Sequence, residues 1–252
     1  MLDAYSVFAD FYDTLMDDVD YDAWCAYLVR LLQGCADNAN IQSVVDCACG
    51  TGNISVRLAE RGYHVTGSDI SEDMLRNAQE KAMSRGLRIP FVRQDMRRLT
   101  VHRKQDAVLA CCDGVNYLNS MEQVADFFSA ACQVLRPGGL LLFDLSTPYK
   151  LEQVLGTHTY GEDTKCCTYL WQNVFDPKSR LLEMHLIFFV PEPNGSYRRF
   201  DEIHVQRAHE IDEINVLLRD KGFLVEGVFD AFTTDPPCPD SERIQWIARR
   251  NP

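Results

Sequence analysis

Apolar and polar positions follow two rhythms along this chain, and the change between them divides it. From Asp22 to Leu32 the apolar residues Trp24, Tyr27, Leu28, Leu31 and Leu32 fall at i, i+3, i+4, i+7 and i+8. That is one stripe of an amphipathic helix, ended by Gly34. Val44-Val45 predicts a buried strand running into Asp46 and a Gly-rich turn, and a helix follows through Ile54, Leu58 and Ala59. Tyr63–Gly67 predicts a strand that ends at Asp69, with Ser71 as N-cap of the next helix. Pro90–Val92 and Asp106–Cys111 predict two further strands. Ser120 and Gln123 predict a capping box for a helix carrying Val124, Phe127, Phe128, Ala131 and Leu135, after which Pro137-Gly138-Gly139 turns the chain into the apolar strand Leu140–Leu145. Strands alternating with helices in this way predict an α/β fold, Rossmann-like and doubly wound, around a mostly parallel seven-stranded sheet covered on both faces.

After Pro148 the helical rhythm stops. Tyr169–Phe175, Leu181–Val190 and Tyr197–Val205 read as strands, with Asn194-Gly195 as a hairpin signal. We therefore expect an antiparallel β insertion (a flap) over residues 157–208, following the fifth strand, within one domain spanning 1–252. The helix Asp212–Asp220, closed by Gly222, and the strands Phe223–Phe229 and Ile244–Ala248 complete the pattern.

The central motif is Asp46-Cys47-Ala48-Cys49-Gly50-Thr51-Gly52. A buried strand enters a turn that passes close to a ligand, and Gly50 and Gly52 permit backbone angles closed to other residues. Asp69 ends the next strand about 20 residues on, where a carboxylate accepts hydrogen bonds from ribose hydroxyls. The third glycine of a dinucleotide fingerprint is absent: Ser55 takes its place. An acid at the strand end suits a ligand with a cationic amino group and no phosphate.

The motif resembles the first motif of the class I S-adenosylmethionine (SAM)-dependent methyltransferases, with Ala48 where glycine is usual. Asp69-Ile70-Ser71-Glu72-Asp73-Met74 resembles their ribose loop, Arg93-Gln94-Asp95-Met96 their adenine loop, and Leu135-Arg136-Pro137-Gly138-Gly139 the turn before their fifth strand. The segment Tyr5–Asp13 is similar to the opening of bacterial small-molecule methyltransferases, whose aromatic residues close over the cofactor. The resemblance implies SAM as cofactor and Tyr12, Asp46, Ala48, Cys49, Gly50, Gly52, Asp69, Ile70, Met74, Asp95, Met96, Cys112 and Asp113 as its contacts. For Asp113 a turn or helix-cap role is the alternative.

Candidate chemistry lies opposite these motifs. Methyl transfer from a sulfonium needs positioning and exclusion of water more than a covalent residue. Glu202 and His204, two apart on a predicted strand, share a face and could accept a proton or hold an amine; with Tyr117 they are the candidate catalytic residues. The polar face of a half-exposed sheet is the competing reading. Trp171, Phe188 and Phe189 read as flap core, with an aromatic cage for a cationic amine as the alternative. Cys112-Asp113-Gly114-Val115-Asn116-Tyr117 departs from the Asn/Asp-Pro-Pro-Tyr/Phe motif of many methyltransferases acting on base or glutamine amino groups.

Composition narrows the partners. With 46% hydrophobic and 25% charged residues the chain is ordinary globular protein, and a formal net charge of −12 disfavours nucleic acid. Neither a basic leader nor an apolar run long enough to span a bilayer is present, so a soluble, cytoplasmic protein with no membrane partner is expected. The ten cysteines include no C-x-x-C, and we expect reduced core thiols and no metal. The expected function is methyl transfer to a small-molecule nitrogen or oxygen nucleophile. A non-catalytic SAM-binding regulator or scaffold and an NAD-dependent oxidoreductase are the alternatives. Exposed edges of the insertion make it the candidate surface for a homodimer.

Overall fold

The computed structural model describes residues 9–34, 41–164 and 167–252. Tyr5–Phe8, Cys35 and Cys166 lie outside the described residues. Two helices, α1 (Ala9–Leu15) and α2 (Tyr21–Gly34), precede an alternation of β1 (Ser43–Cys47), α3 (Asn53–Glu60), β2 (His64–Asp69), α4 (Glu72–Ser84), β3 (Phe91–Arg93), β4 (Gln105–Ala110), α5 (Met121–Val134) and β5 (Leu135–Ser146). The flap comprises β6 (Thr159–Asp163), β7 (Thr168–Asp176), β8 (Leu181–Pro191) and β9 (Tyr197–Arg207); α6 (Ile211–Asp220), β10 (Phe223–Asp230) and β11 (Arg243–Arg250) close the chain.

The main sheet has the order β10-β11-β5-β4-β1-β2-β3. Its strands from β3 to β5 run parallel, and β11 is antiparallel to both of its neighbours. The central strands are largely apolar because helices cover both faces, with Asp46 and Asp144 as buried exceptions. On one face α5 and α6 bury Phe127, Phe128 and Leu218 against Phe143 and Trp246, whose rings stack at 5.3 Å. On the other, Trp24, Leu28 and Leu32 of α2 pack with Val56 and Leu58 of α3. Each such side chain stabilises the fold by about 1.5–3 kcal/mol. Among the described residues no helix is long and apolar enough to cross a membrane.

Three local expectations need correction. The insertion sheet has four strands in the order β6-β7-β8-β9; β6 was missed because its sequence, Thr-Tyr-Gly-Glu-Asp, is exposed throughout and carries no alternation. Pro137-Gly138-Gly139 forms a bulge inside β5 and does not precede it: Leu135 pairs with Gln105 and Leu140 with Ala107. Only half of the capping box forms. The Ser120 hydroxyl accepts from Gln123 N, but Gln123 Oε1 accepts from Asn119 N, one residue earlier. The cap at Ser71 forms as expected, accepting from Met74 N.

The flap turns its buried face inward. Phe188 packs with Ala9 of α1 and Met74 of α4, while Leu182 and Met184 pack on Leu151, in a wide turn after β5. This docking brings β9 over the carboxyl ends of the parallel strands.

Candidate functional site

A hollow of about 510 Å³ lies at the carboxyl ends of β1, β2 and β4, within the range of small-molecule sites. β1 sits between β2 and β4, so strand order reverses here, the usual ligand position in an open α/β sheet. The two glycines of the central motif do different work. Gly50 (φ +53°) lines the hollow, and a Cβ added there would meet nothing within 4 Å. Gly52 (φ +75°) does not line it; a Cβ there would come within 2.9 Å of Ala78 Cβ and 3.3 Å of Phe91. Gly50 leaves room for a ligand, and Gly52 lets α3 approach α4. Ala48 also takes a left-handed conformation (φ 51°), and its methyl lies 3.0 Å from where a Cβ on Gly114 would stand. Glycine at 114 therefore accommodates the unusual alanine.

Asp46 is buried, and its carboxylate accepts a 2.5 Å hydrogen bond from the Ser55 hydroxyl. Burial pushes its pKa up to about 7 despite that bond, with the Asp69 charge adding to the shift. The residue that breaks the dinucleotide fingerprint is thus the one that holds the acid. Asp69 bridges two loops: one oxygen accepts from Gly50 N and the other from Ser71 N, each at 2.9 Å. Burial raises its pKa, opposed by those backbone donors. Asp95 caps a short 3₁₀ turn through Arg97 N and is gripped by the Arg97 guanidinium, which holds it below the usual carboxylate range. Ile70, Met74, Met96, Cys49, Cys112 and Tyr12 all line the hollow. Burial, reinforced by nearby carboxylates, pushes the Cys49 and Cys112 thiols well up, so they are protonated and poor nucleophiles.

Asp113 takes its other reading. It does not line the hollow: its carboxylate accepts from Arg243 at 2.6 Å and from Gln206 Nε2 at 3.2 Å. Arg243 also pairs with the buried Asp144, which accepts from Cys112 N at 2.8 Å and Asp113 N at 3.0 Å. Cys112 and Asp113 both have positive φ (59° and 55°), a strained pair at a non-glycine turn. The two hydrogen bonds to Asp144 and the Arg243 ion pair hold that turn in place. Burial raises both acids, but Arg243 and Lys150 bring Asp113 below its ordinary value, while the Asp113 charge helps keep Asp144 above its own.

Tyr117, His204 and Glu202 come together. The Tyr117 hydroxyl lies 3.3 Å from His204 Nδ1, and His204 Nε2 lies 3.2 Å from Glu202 Oε2. Tyr117 and His204 line the hollow; Glu202 stands behind the imidazole, with both flap side chains almost wholly buried. The contact is built by the 3₁₀ turn Gly114–Tyr117 docking on β9, where Asn116 Nδ2 donates to Arg207 O at 2.9 Å. Trp171 packs in the flap core, as expected, beside Tyr160 and Leu182. Sequence reading missed Tyr21, Arg97, Gly114, Asn119, Gln123 and Ile203 in the lining. Gly114 alone carried a local signal, as the glycine closing the turn after β4.

Comparison with known proteins decides the family. Residues 44–139 match the family model for the methyltransferase domain. The chain is 38% identical to "Putative methyltransferase YqeM" of Bacillus subtilis (strain 168), over 98% of this chain and 97% of that one. The chain belongs to the SAM-dependent methyltransferases. The crystal structure of a SAM-dependent methyltransferase from Clostridium acetobutylicum superposes with a TM-score of 0.88 at 31% identity, covering 98% of this chain and 99% of that one. A further relative, 24% identical over 86% of this chain and 90% of its own, is the dTDP-3-amino-3,4,6-trideoxy-alpha-D-glucopyranose N,N-dimethyltransferase of Streptomyces venezuelae. The oxidoreductase reading ends here. The methyltransferase uses SAM, and its residues fit that cofactor: Gly50 opens on free space, Asp69 lies at the end of β2, and the buried Asp46 offers an acid.

Proposed function

We propose that the protein methylates a small molecule at a nitrogen or oxygen that carries a removable proton, in the space between the glycine-rich loop and β9. The observation that carries this reading is the chain of contacts Tyr117–His204–Glu202 ending at the hollow. Glu202 accepts from His204 Nε2–H, which leaves Nδ1 to accept the Tyr117 hydroxyl; the phenol oxygen then offers a lone pair to the acceptor's proton. Bound SAM supplies an electrophilic methyl group on a sulfonium. Around it, Asp69 would accept the ribose hydroxyls, Asp46 would face the amino group, and Asp95 with Met96 would border the adenine. Asp113 and Gly52 support these residues without touching the cofactor.

The net charge of −12, and the pairing of three of the four arginines of the described flap, Arg180, Arg198 and Arg199, with acids, favour a small acceptor over nucleic acid. The eight described cysteines are all free, and four of them are buried, which suits the cytoplasm. The flap exposes β6 as an edge strand, and pairing of two copies there is the proposed dimer. A monomeric mass by light scattering would remove that part.

The test is incubation of the protein and labelled SAM with a metabolite extract, followed by mass spectrometry of whatever gains a methyl group. A labelled small amine or alcohol, lost with His204→Gln, supports the proposal. Labelling confined to protein or nucleic acid overturns it.

A further inference from the structure

Helix α1 contributes Tyr12 to the wall of the hollow, and the next residue ties that helix to the glycine-rich loop. Asp13 Oδ1 accepts from the Thr51 hydroxyl at 2.6 Å and from Asn53 Nδ2 at 2.9 Å, and Oδ2 pairs with Lys81 Nζ at 2.7 Å. Lys81, on α4, also donates to Thr51 Oγ1 at 3.1 Å and to Asn53 Oδ1 at 2.7 Å, so all three ammonium donors are used. A second tie lies at the other end of the helix, where Asn77 Nδ2 donates to Ala9 O at 2.7 Å. Thr51 is buried and Lys81 largely so, while Asp13 is about half exposed (45%). Such a network exceeds an ordinary surface ion pair, because lifting α1 takes from the cation and both loop side chains the one carboxylate they share.

Thr51, in the glycine-rich loop, and Asn53, the first residue of α3, line the hollow together with Tyr12. We propose that Asp13 and Lys81 are positioning residues that latch α1 to the glycine-rich loop and thereby set how fast the spent cofactor leaves. Neither touches the reacting atoms. They act through Tyr12, whose ring is held over the hollow only while α1 is docked, and through Thr51 and Asn53, which fix the loop backbone around Gly50 and Gly52. The inference rests on the hollow being the cofactor site.

The test uses the full chain loaded with labelled S-adenosylhomocysteine and chased with unlabelled compound. Dissociation is compared for the wild type, Asp13→Ala, Lys81→Met and the double variant. Each single variant should release the label about tenfold faster, the scale of one charge-assisted hydrogen bond, with the association rate within about twofold of wild type. The double variant should be no faster than the singles, since both break one network. Asp13→Asn, which keeps an acceptor for Thr51 but loses the charge, should fall between; it also replaces Asp13→Ala where that variant does not fold. Equal dissociation rates in wild type and single variants overturn the latch, as does a double variant that multiplies the two effects. A wild-type protein that binds no S-adenosylhomocysteine overturns the reading of the hollow itself.

Discussion

The Tyr117 hydroxyl and His204 Nδ1 lie 3.3 Å apart although the residues are separated by 87 positions in the chain. One sits in the turn after β4 and the other on the last flap strand, so the contact exists only when the flap is docked on the sheet. Gln206 and the backbone of Arg207, bonded to Asp113 and Asn116, hold the same strand. Tyr117→Phe and His204→Gln should therefore lower kcat on the order of 10²-fold or more, the usual size of a general-base contribution. Affinity for S-adenosylhomocysteine should stay within about twofold if the pair handles the acceptor's proton and not the cofactor. Turnover assays alongside calorimetry check this; a parallel loss of cofactor affinity would reassign the pair to cofactor binding.

The two motif glycines should separate stability from binding. Gly52→Ala places a methyl 2.9 Å from Ala78 Cβ at a left-handed backbone, and should destabilise by about 1–3 kcal/mol. Gly50→Val extends into open space in the hollow, so it should abolish cofactor binding while costing chiefly the backbone strain at φ +53°. Denaturant unfolding and calorimetry on both variants read the two effects separately.

Cofactor binding should release a proton near neutral pH. Asp46, with its pKa raised to about 7 by burial, is partly protonated at pH 6.5 without ligand. An amino group placed against it favours the carboxylate, lowers that pKa and expels the proton. Calorimetry in buffers of different ionisation enthalpy measures the release. It should approach zero above pH 8.5 or in Asp46→Asn; release unchanged in Asp46→Asn would place the proton elsewhere.

Acid should weaken the fold through His209. The ring is 2% exposed, and burial with the Arg207 charge pushes its pKa down to about 4, against a backbone hydrogen bond with Leu118. The folded state thus binds fewer protons than the unfolded chain between pH 6.5 and 4. The stability present above pH 6.5 is lost as pH falls through that window, by about 3 kcal/mol for this residue alone. Urea unfolding of wild type and His209→Leu across pH 4.5–7.5 should show a shallower slope in the variant; parallel slopes would exclude His209 as the source.

Removing the shared cation should be severe. Arg243→Met leaves Asp113 and Asp144 facing each other in the interior and should cost about 3–5 kcal/mol, with partial recovery in Arg243→Lys. Thermal unfolding checks the magnitude. A neutral result would mean that water reaches the two acids.

Much of the fold was legible because helix and strand periodicity are local. The α2 stripe, the strand runs at β1 and β4, the Ser71 cap and the Gly222 stop lie where the residues indicate. β6 was not legible, since an exposed five-residue edge strand is defined by its partner β7 and not by its own pattern. The bulge at Pro137-Gly138-Gly139 reads locally as a turn; only the ladder with β4 shows the chain continuing in the same sheet.

In the site, the sequence by itself determined which residues gather at one edge of the hollow. Asp46, Gly50, Asp69 and Asp95 fall at the ends of consecutive elements, so order and spacing place them on one sheet edge. Tertiary structure alone decided what each side chain does there. Asp113 turned from the hollow because Arg243, 130 positions away on β11, offers a buried cation that water cannot replace. Tyr117, His204 and Glu202 became one chain because the flap docks β9 against the turn after β4, and Asp13 reached Lys81 because α1 folds back onto α4. Local periodicity fixes which backbone groups pair, whereas long-range electrostatics and packing select which of several compatible partners a polar side chain meets.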